Sequence, residues 1–212
     1  FPFAYNDFEA LKKLIDKRKI GIIKMEVMRN FKPENNFLHK VRKICNQKKI
    51  VLIFDECTSG FRESYGGKHL DFKVYPDIAI FGKAIGNGYA INAVIGKSKV
   101  MSAAEDTFIS STFWTERIGS VAALETLKLM KKERSYRFVK KQGKKIKLVW
   151  KSLADKYKIP IQISGMDSLP TFTFLKRNLI YKTILIQEML KKKILVSNLV
   201  FVSIVHTNKI LR

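Results

Sequence analysis

Ile50-Val51-Leu52-Ile53-Phe54 is a short continuous apolar run, closed at once by Asp55-Glu56. That pattern is the one expected of a parallel strand covered on both faces. The flanking sequence repeats the theme. Ile20-Gly21-Ile22-Ile23-Lys24-Met25-Glu26 reads as a buried strand, and Pro33 to Lys48 reads as the helix between the two. Pro33 suits a first helical turn, and Phe37, Leu38, Val41, Ile44 and Cys45 share one face at 3–4 spacing. Downstream, Thr58 to Asp71 reads as a loop rich in Gly and polar residues. Pro76 to Phe81 is a third strand, running into Gly82-Lys83, and Ala90 to Gly96 is a fourth. Thr107 to Thr112 reads as strand into loop. Strands alternating with helices indicate an α/β class with a mostly parallel sheet.

From about Thr115 a 3.6-residue period takes over. Ile118, Val121, Ala122, Leu124, Leu127 and Met130 form an apolar stripe read as core, and a second long helix spans roughly Glu133 to Tyr157. Beyond Pro160 the pattern becomes strand (Ile161–Ser164), strand (Thr171–Leu175), helix (Ile180–Lys192) and strand (Ile194–Ser203), a smaller α+β unit. The domains expected are residues 1–140, part of a large domain, and 141–212, a small C-terminal α+β domain.

Composition narrows the function. The chain has 212 residues, 46% of them hydrophobic, with 15 Phe, 7 Tyr and 2 Trp, which excludes a disordered basic tail. The net charge of +23 comes from 32 Lys and 9 Arg against 18 acids. Lysine rather than arginine dominates, the lysines fall on exposed faces of expected helices, and no nucleic-acid-binding signature is present, so no specific nucleic-acid partner is expected. The longest apolar runs fall far short of the ~20 residues that span a bilayer, so no membrane partner is expected. Phe1-Pro2-Phe3-Ala4-Tyr5-Asn6-Asp7 is no signal peptide, and without an initiator Met the chain reads as beginning mid-protein. Cys45 and Cys57 form neither a disulfide framework nor a metal knuckle, and His39, His69 and His206 lack metal spacing. A reducing, cytoplasmic compartment is therefore expected.

The chemistry lies at two strand ends. Asp55 closes one strand and Lys83 follows another, 28 positions on. Ligands of open α/β sheets bind beyond the carboxyl ends of their strands, so the two can converge on one ligand. The pair suits pyridoxal phosphate, whose aldehyde takes a lysine amine and whose ring nitrogen takes an acid. Gly82, Gly86 and Gly88 would allow close approach to a flat cofactor. Taken alone, Cys57 is a small hydrophobe rather than a nucleophile, Arg62 a surface or loop-ordering residue, and His206 a structural hydrogen-bonding residue.

The sequence resembles a known family at these places. Asp55-Glu56-Cys57-Thr58-Ser59-Gly60-Phe61-Arg62 resembles the DE(V/I)xTGFR element of class III pyridoxal-phosphate aminotransferases, most closely the glutamate-1-semialdehyde aminomutase branch. Pro76-Asp77 through Gly82-Lys83-Ala84-Ile85-Gly86-Asn87-Gly88 is similar to that family's lysine segment, Ile109 to Glu116 to its threonine loop, and His206-Thr207 to an element of its small domain. The resemblance implies a partial fold-type I transferase, with a mixed, mostly parallel sheet and flanking helices. It implies pyridoxal 5'-phosphate as cofactor, Lys83 as Schiff-base lysine and proton-transfer base, and Asp55 on the ring nitrogen. Cys57 stands where the family places Val or Ile against the ring face, and Thr112 serves the phosphate of a neighbouring subunit, with Thr115 a weaker candidate. The implied partners are a small-molecule amino donor, a keto or aldehyde acceptor, and a second copy of the chain. Glu26-Val27 replaces the family's usual Glu-Pro, and Lys193 stands where a Gly often ends the small-domain helix. The family's phosphate-binding turn and stacking aromatic lie upstream of the matched region, and its final helix lies beyond it, so the chain reads as the C-terminal half. Rival readings are another fold-type I enzyme, a racemase or decarboxylase, and a non-catalytic basic α/β module that binds polyanions.

Overall fold

The computed structural model describes residues 1–110, 112 and 115–211. The chain divides into two compact units, Phe1–Met28 with Lys32–Arg134, and Arg29–Phe31 with Ser135–Arg212.

The first unit is built on a four-stranded sheet. Strands β1 (Ile22–Glu26), β2 (Val51–Asp55) and β3 (Ile78–Phe81) lie side by side in parallel, and β4 (Ala93–Gly96) runs antiparallel at the edge. Helices α1 (Phe8–Lys17) and α2 (Phe37–Lys48) cover one face. Side chains alternate along a strand, so one set faces these helices: Ile23 and Met25, Leu52 and Phe54, Ala79 and Phe81 are all buried. Leu11 and Ile15 of α1 and Phe37, Leu38, Val41, Ile44 and Cys45 of α2 complete that core. The opposite face holds Ile22, Lys24, Glu26, Val51, Ile53, Asp55, Ile78 and Ile80, all half-buried or exposed. Ile50–Phe54 is thus fully buried on the face toward α1 and α2 and half-buried on the other, at Val51 and Ile53.

Helix α1 has no counterpart in the sequence reading. Asp7 caps it by accepting the Ala10 N–H at 2.9 Å, and Leu11 and Ile15, four apart, give it a buried face. Helix α2 starts at Phe37 rather than Pro33, because Asn35 and Asn36 both take left-handed backbone (φ 49° and 58°), which asparagine tolerates and a helix does not. The loop after β2 contains a 3-10 turn at Lys68–Phe72, and a short helix α3 (Ser98–Met101) follows β4. Thr107 to Ser110 form no strand.

Helix α4 (Arg117–Glu133) corrects the reading of the apolar stripe as core. Its buried positions are the small residues Gly119 and Ala123. A Cβ on Gly119 would meet the Ala90 carbonyl oxygen at 2.7 Å, so the helix packs there at backbone distance. Larger side chains cannot enter that contact. Ile118, Val121 and Leu124 turn outward instead, at 59%, 63% and 61% exposure.

In the second unit, α5 (Ser135–Lys156), the hairpin β5 (Ile161–Ser164) with β6 (Thr171–Phe174), and α6 (Asn178–Lys191) agree with the sequence reading to within a few residues. Val139, Ile146 and Val202 form a small core flanked by Trp150 and Val200. The strand expected over Ile194–Ser203 is reduced to one bridge, Leu199 to Thr171, though Val200 and Val202 still donate to the Pro170 and Ser168 carbonyls.

Candidate active site

The parallel strands deliver Asp55, at the end of β2, and Lys83, two residues past β3, to one end of the sheet. The ladder continues past Asp55, where the Glu56 N–H donates to Ile80 at 2.8 Å. Asp55 lies on the face away from the α1–α2 core, and its carboxylate is bound by Lys24 and by Cys57, the latter through its thiol as well as its backbone N–H. Oδ1 accepts the Cys57 N–H at 3.1 Å, and Oδ2 lies 3.1 Å from Lys24 Nζ. Partial burial works to raise the Asp55 pKa, but the Lys24 ammonium and the Cys57 N–H outweigh it and hold it below the usual carboxylate range.

Lys83 opens a single 3-10 turn, Lys83–Ile85, with left-handed backbone (φ 48°). It is exposed, and its Nζ donates to Thr58 Oγ1 at 2.7 Å. Gly82 before it makes room: a Cβ there would lie 2.4 Å from Asn92 Oδ1 and 3.3 Å from Cys57 Sγ. Gly86 is tighter, since a Cβ would stand 2.2 Å from the Tyr89 carbonyl oxygen. Cys57 sits half-buried between the two charged residues. Burial raises its thiol pKa, Asp55 raises it further, and Lys83 opposes them. Asp55, Cys57 and Lys83 thus share one neighbourhood.

Buried polar residues order the loop that carries Cys57 and Thr58. Glu56 is completely buried. Its Oε1 accepts both the backbone N–H and the ring Nδ1 of His69, at 2.9 and 2.8 Å, and its Oε2 accepts the Ser59 hydroxyl. Burial works to raise its pKa, but the bonds from His69, Ser59 and the Lys68 backbone win and hold it low. Lys68, itself buried, bridges Glu63 at 2.7 Å and Asp71 at 2.8 Å. Arg62 donates from Nε to the Thr58 carbonyl at 2.7 Å, the loop-ordering alternative rather than a free surface residue. Asp77, at the other end of β3, binds Arg42, Lys97 and the Leu52 N–H. His206 accepts the Ser203 N–H at 3.0 Å, as a structural histidine does.

Thr112 lies exposed in a turn ahead of α4, and among the described residues no hydrogen bond joins it to the cluster. Its neighbours Ser111, Phe113 and Trp114 in the matched threonine loop lie outside the described residues. Thr115, the weaker candidate, is likewise exposed. Among the described residues no group of His, Cys, Asp and Glu could hold a metal, and no helix is long and apolar enough to cross a membrane.

Residues 27–198 match the family model described as Aminotransferase class-III. The chain is 36% identical over 185 residues to a 3-aminobutyryl-CoA aminotransferase of Cloacimonas acidaminovorans, covering 83% of this chain and 45% of that one. It is 34% identical over 179 residues to a glutamate-1-semialdehyde 2,1-aminomutase of Wigglesworthia glossinidia brevipalpis, covering 80% and 41%. The FumI protein of Sphingopyxis sp. MTA144, solved in its PLP internal aldimine form, superposes with a TM-score of 0.92 at 22% identity, over 99% of this chain and 53% of that one. The fold is thus the fold-type I aminotransferase fold in part, and the chain spans less than half the length of these curated relatives.

Proposed function

The chain belongs to the class III aminotransferases, a family that uses pyridoxal phosphate, and on that premise we propose that Asp55, Cys57, Thr58 and Lys83 form the cofactor end of an amino-transferring site. The residues present suit that cofactor. Asp55 stays ionised and already holds a cation, the Lys24 ammonium, at the distance a protonated ring nitrogen would take. Gly82 and Gly86 serve the loop rather than an open slot for the ring: Asn92 Oδ1 and the Tyr89 carbonyl oxygen fill the places where their Cβ atoms would stand, so the tight turn carrying Lys83 depends on both glycines.

When bound, the cofactor supplies an aldehyde that takes up amines and a protonated ring that draws electrons from the reacting carbon. Asp55 does the electrostatic work, keeping a full negative charge against the ring nitrogen through the cycle. Lys83 would hold the cofactor through its amine, and its Nζ, when not so engaged, would take and give the proton moved at the reacting carbon. Thr58 Oγ1 accepts from Nζ and keeps it at the site while it is free. Cys57 presents a weakly polar surface, and burial together with Asp55 keeps its thiol protonated at neutral pH. The substrates are a small amino donor and a keto or aldehyde acceptor, whether the amine moves between molecules or within one.

A second copy of the chain would complete the assembly. The outward Ile118 and Val121 of α4 border an open groove of about 530 Å³ with Gly86, Asn87 and Tyr89, an apolar surface on the site's own loop. Thr112, exposed nearby in sequence, would reach the neighbour's phosphate.

The observation that carries the reading is that Asp55 and Lys83, from adjacent strand ends, bind neighbouring residues of one loop, Asp55 the Cys57 N–H at 3.1 Å and Lys83 the Thr58 hydroxyl at 2.7 Å. Borohydride added with pyridoxal phosphate should fix the cofactor onto the peptide containing Lys83, and Lys83→Ala should lose the label. A label that persists in Lys83→Ala, or that lies on another lysine, defeats the assignment.

A further inference from the structure

We propose that Lys24 is the resident counter-ion of Asp55 in the cofactor-free chain and competes with the cofactor's ring cation for Oδ2. This rests on the reading of Asp55 as the cofactor's carboxylate. Strand register is the starting point. Lys24 opposes Ile53 on β2, and Asp55 lies two residues further along, on the same face. From there Nζ reaches Oδ2 at 3.1 Å.

Both Asp55 oxygens are therefore engaged, but not equally. The Oδ1 partner is the Cys57 backbone N–H, part of the turn that leaves the strand. That partner cannot withdraw without refolding the loop. The Oδ2 partner is the tip of a long side chain that is 57% exposed, and it can swing into water. With Oδ1 committed to the loop, Oδ2 would be the oxygen open to exchange with a ring N–H, and Lys24 would be the cation exchanged. Without Lys24, partial burial would work to raise the Asp55 pKa against the Cys57 bonds alone. Lys24 adds to the Cys57 bonds in favouring the charged carboxylate while the site waits, and its own charge would then repel a protonated ring. The exchange favours a folded, charge-balanced site without cofactor, at some loss of cofactor affinity.

The experiment compares the chain with Lys24→Met, which keeps the stem and removes the charge, and with Lys24→Arg, which keeps the charge. Two quantities are read: titration of the Asp55 carboxyl carbon by NMR without cofactor, and the dissociation constant for pyridoxal phosphate. In Lys24→Met, Asp55 should titrate at higher pH and the cofactor should bind about two- to fivefold more tightly, the range an exposed ion pair supports. In Lys24→Arg both should stay near the parent. An unmoved Asp55 titration in Lys24→Met overturns the ion pair. A shifted titration with unchanged or weaker cofactor binding overturns the competition. Cofactor binding to no variant would instead refute the reading of Asp55, while the ion pair remained visible in the titration.

Discussion

Glu56 offers the sharpest test of how the loop after β2 is held. Its side chain is fully buried and accepts from the His69 N–H, the His69 ring and Ser59, with the Lys68 N–H also acting on it. Glu56→Ala removes every acceptor at once. The Ser59 hydroxyl can rotate to another partner, and the His69 ring can change tautomer. The His69 backbone N–H has no such freedom, and an unsatisfied buried donor costs about 1–3 kcal/mol. With the void left by the missing side chain, the total is about 4 kcal/mol. Glu56→Gln keeps the volume and one acceptor but turns an N–H₂ toward a donor, for about 2 kcal/mol. At roughly 2–4 °C per kcal/mol for a chain of this size, Glu56→Ala should lower Tm by about 8–16 °C. The sign of the pH dependence follows from the carboxyl being held low in the fold. Its stabilisation is complete above the unfolded value, about 4.3, and drains as pH falls through the lower folded value. Urea titrations between pH 3 and 7 should show an acid-sensitive component in the parent that Glu56→Gln lacks. A loss under 1 kcal/mol in Glu56→Ala, or an acid limb unchanged by Gln, would refute the account.

Thr58→Val should slow trapping of Lys83 by pyridoxal phosphate and borohydride by about two- to tenfold, the worth of one hydrogen bond, while Thr58→Ser keeps the parent rate. An unchanged rate in Thr58→Val would show that the hydroxyl does not hold the amine. Gly143→Ala should destabilise the second unit by about 3 kcal/mol or more, since a Cβ would stand 1.5 Å from the Asp167 carbonyl oxygen. Hydrogen exchange in α5 reports it, and unaltered protection would contradict the packing. Cys45, completely buried, has a thiol pKa pushed up to about 11 by burial, so iodoacetamide at pH 7.5 should label it only after unfolding. Labelling of the native chain at this position would disprove it.

What could be read from sequence was set by how local each determinant is. The strands carried their own period, and an acid and a lysine just past two of them needed no tertiary information. The Lys24–Asp55 pair was hidden, because one lysine among 32 acquires meaning only through strand register. Glu56 could have been found: it continues the alternation that turns Leu52 and Phe54 inward, which marks a buried carboxylate in need of donors. In α4 hydrophobicity points to the wrong buried face, because a large side chain cannot fit where two backbones touch. Close backbone approach selected Gly119 and Ala123 instead. The start of α2 went wrong at Asn35 and Asn36, where side-chain identity permits a backbone that spacing does not reveal. Helix α1 was overlooked although Asp7 and the Leu11–Ile15 pair announce it.

Lys83 occupies left-handed backbone, at φ 48°, where a residue with a Cβ is disfavoured by roughly 1–2 kcal/mol. Glycine would sit there in comfort. A sequence shaped only for durability would drift to glycine at this spot, and with it would go the one amine aimed off the end of β3. On the proposed reading of Lys83, backbone strain and chemical use fall on one residue, and a change to glycine would relieve the first only by removing the second.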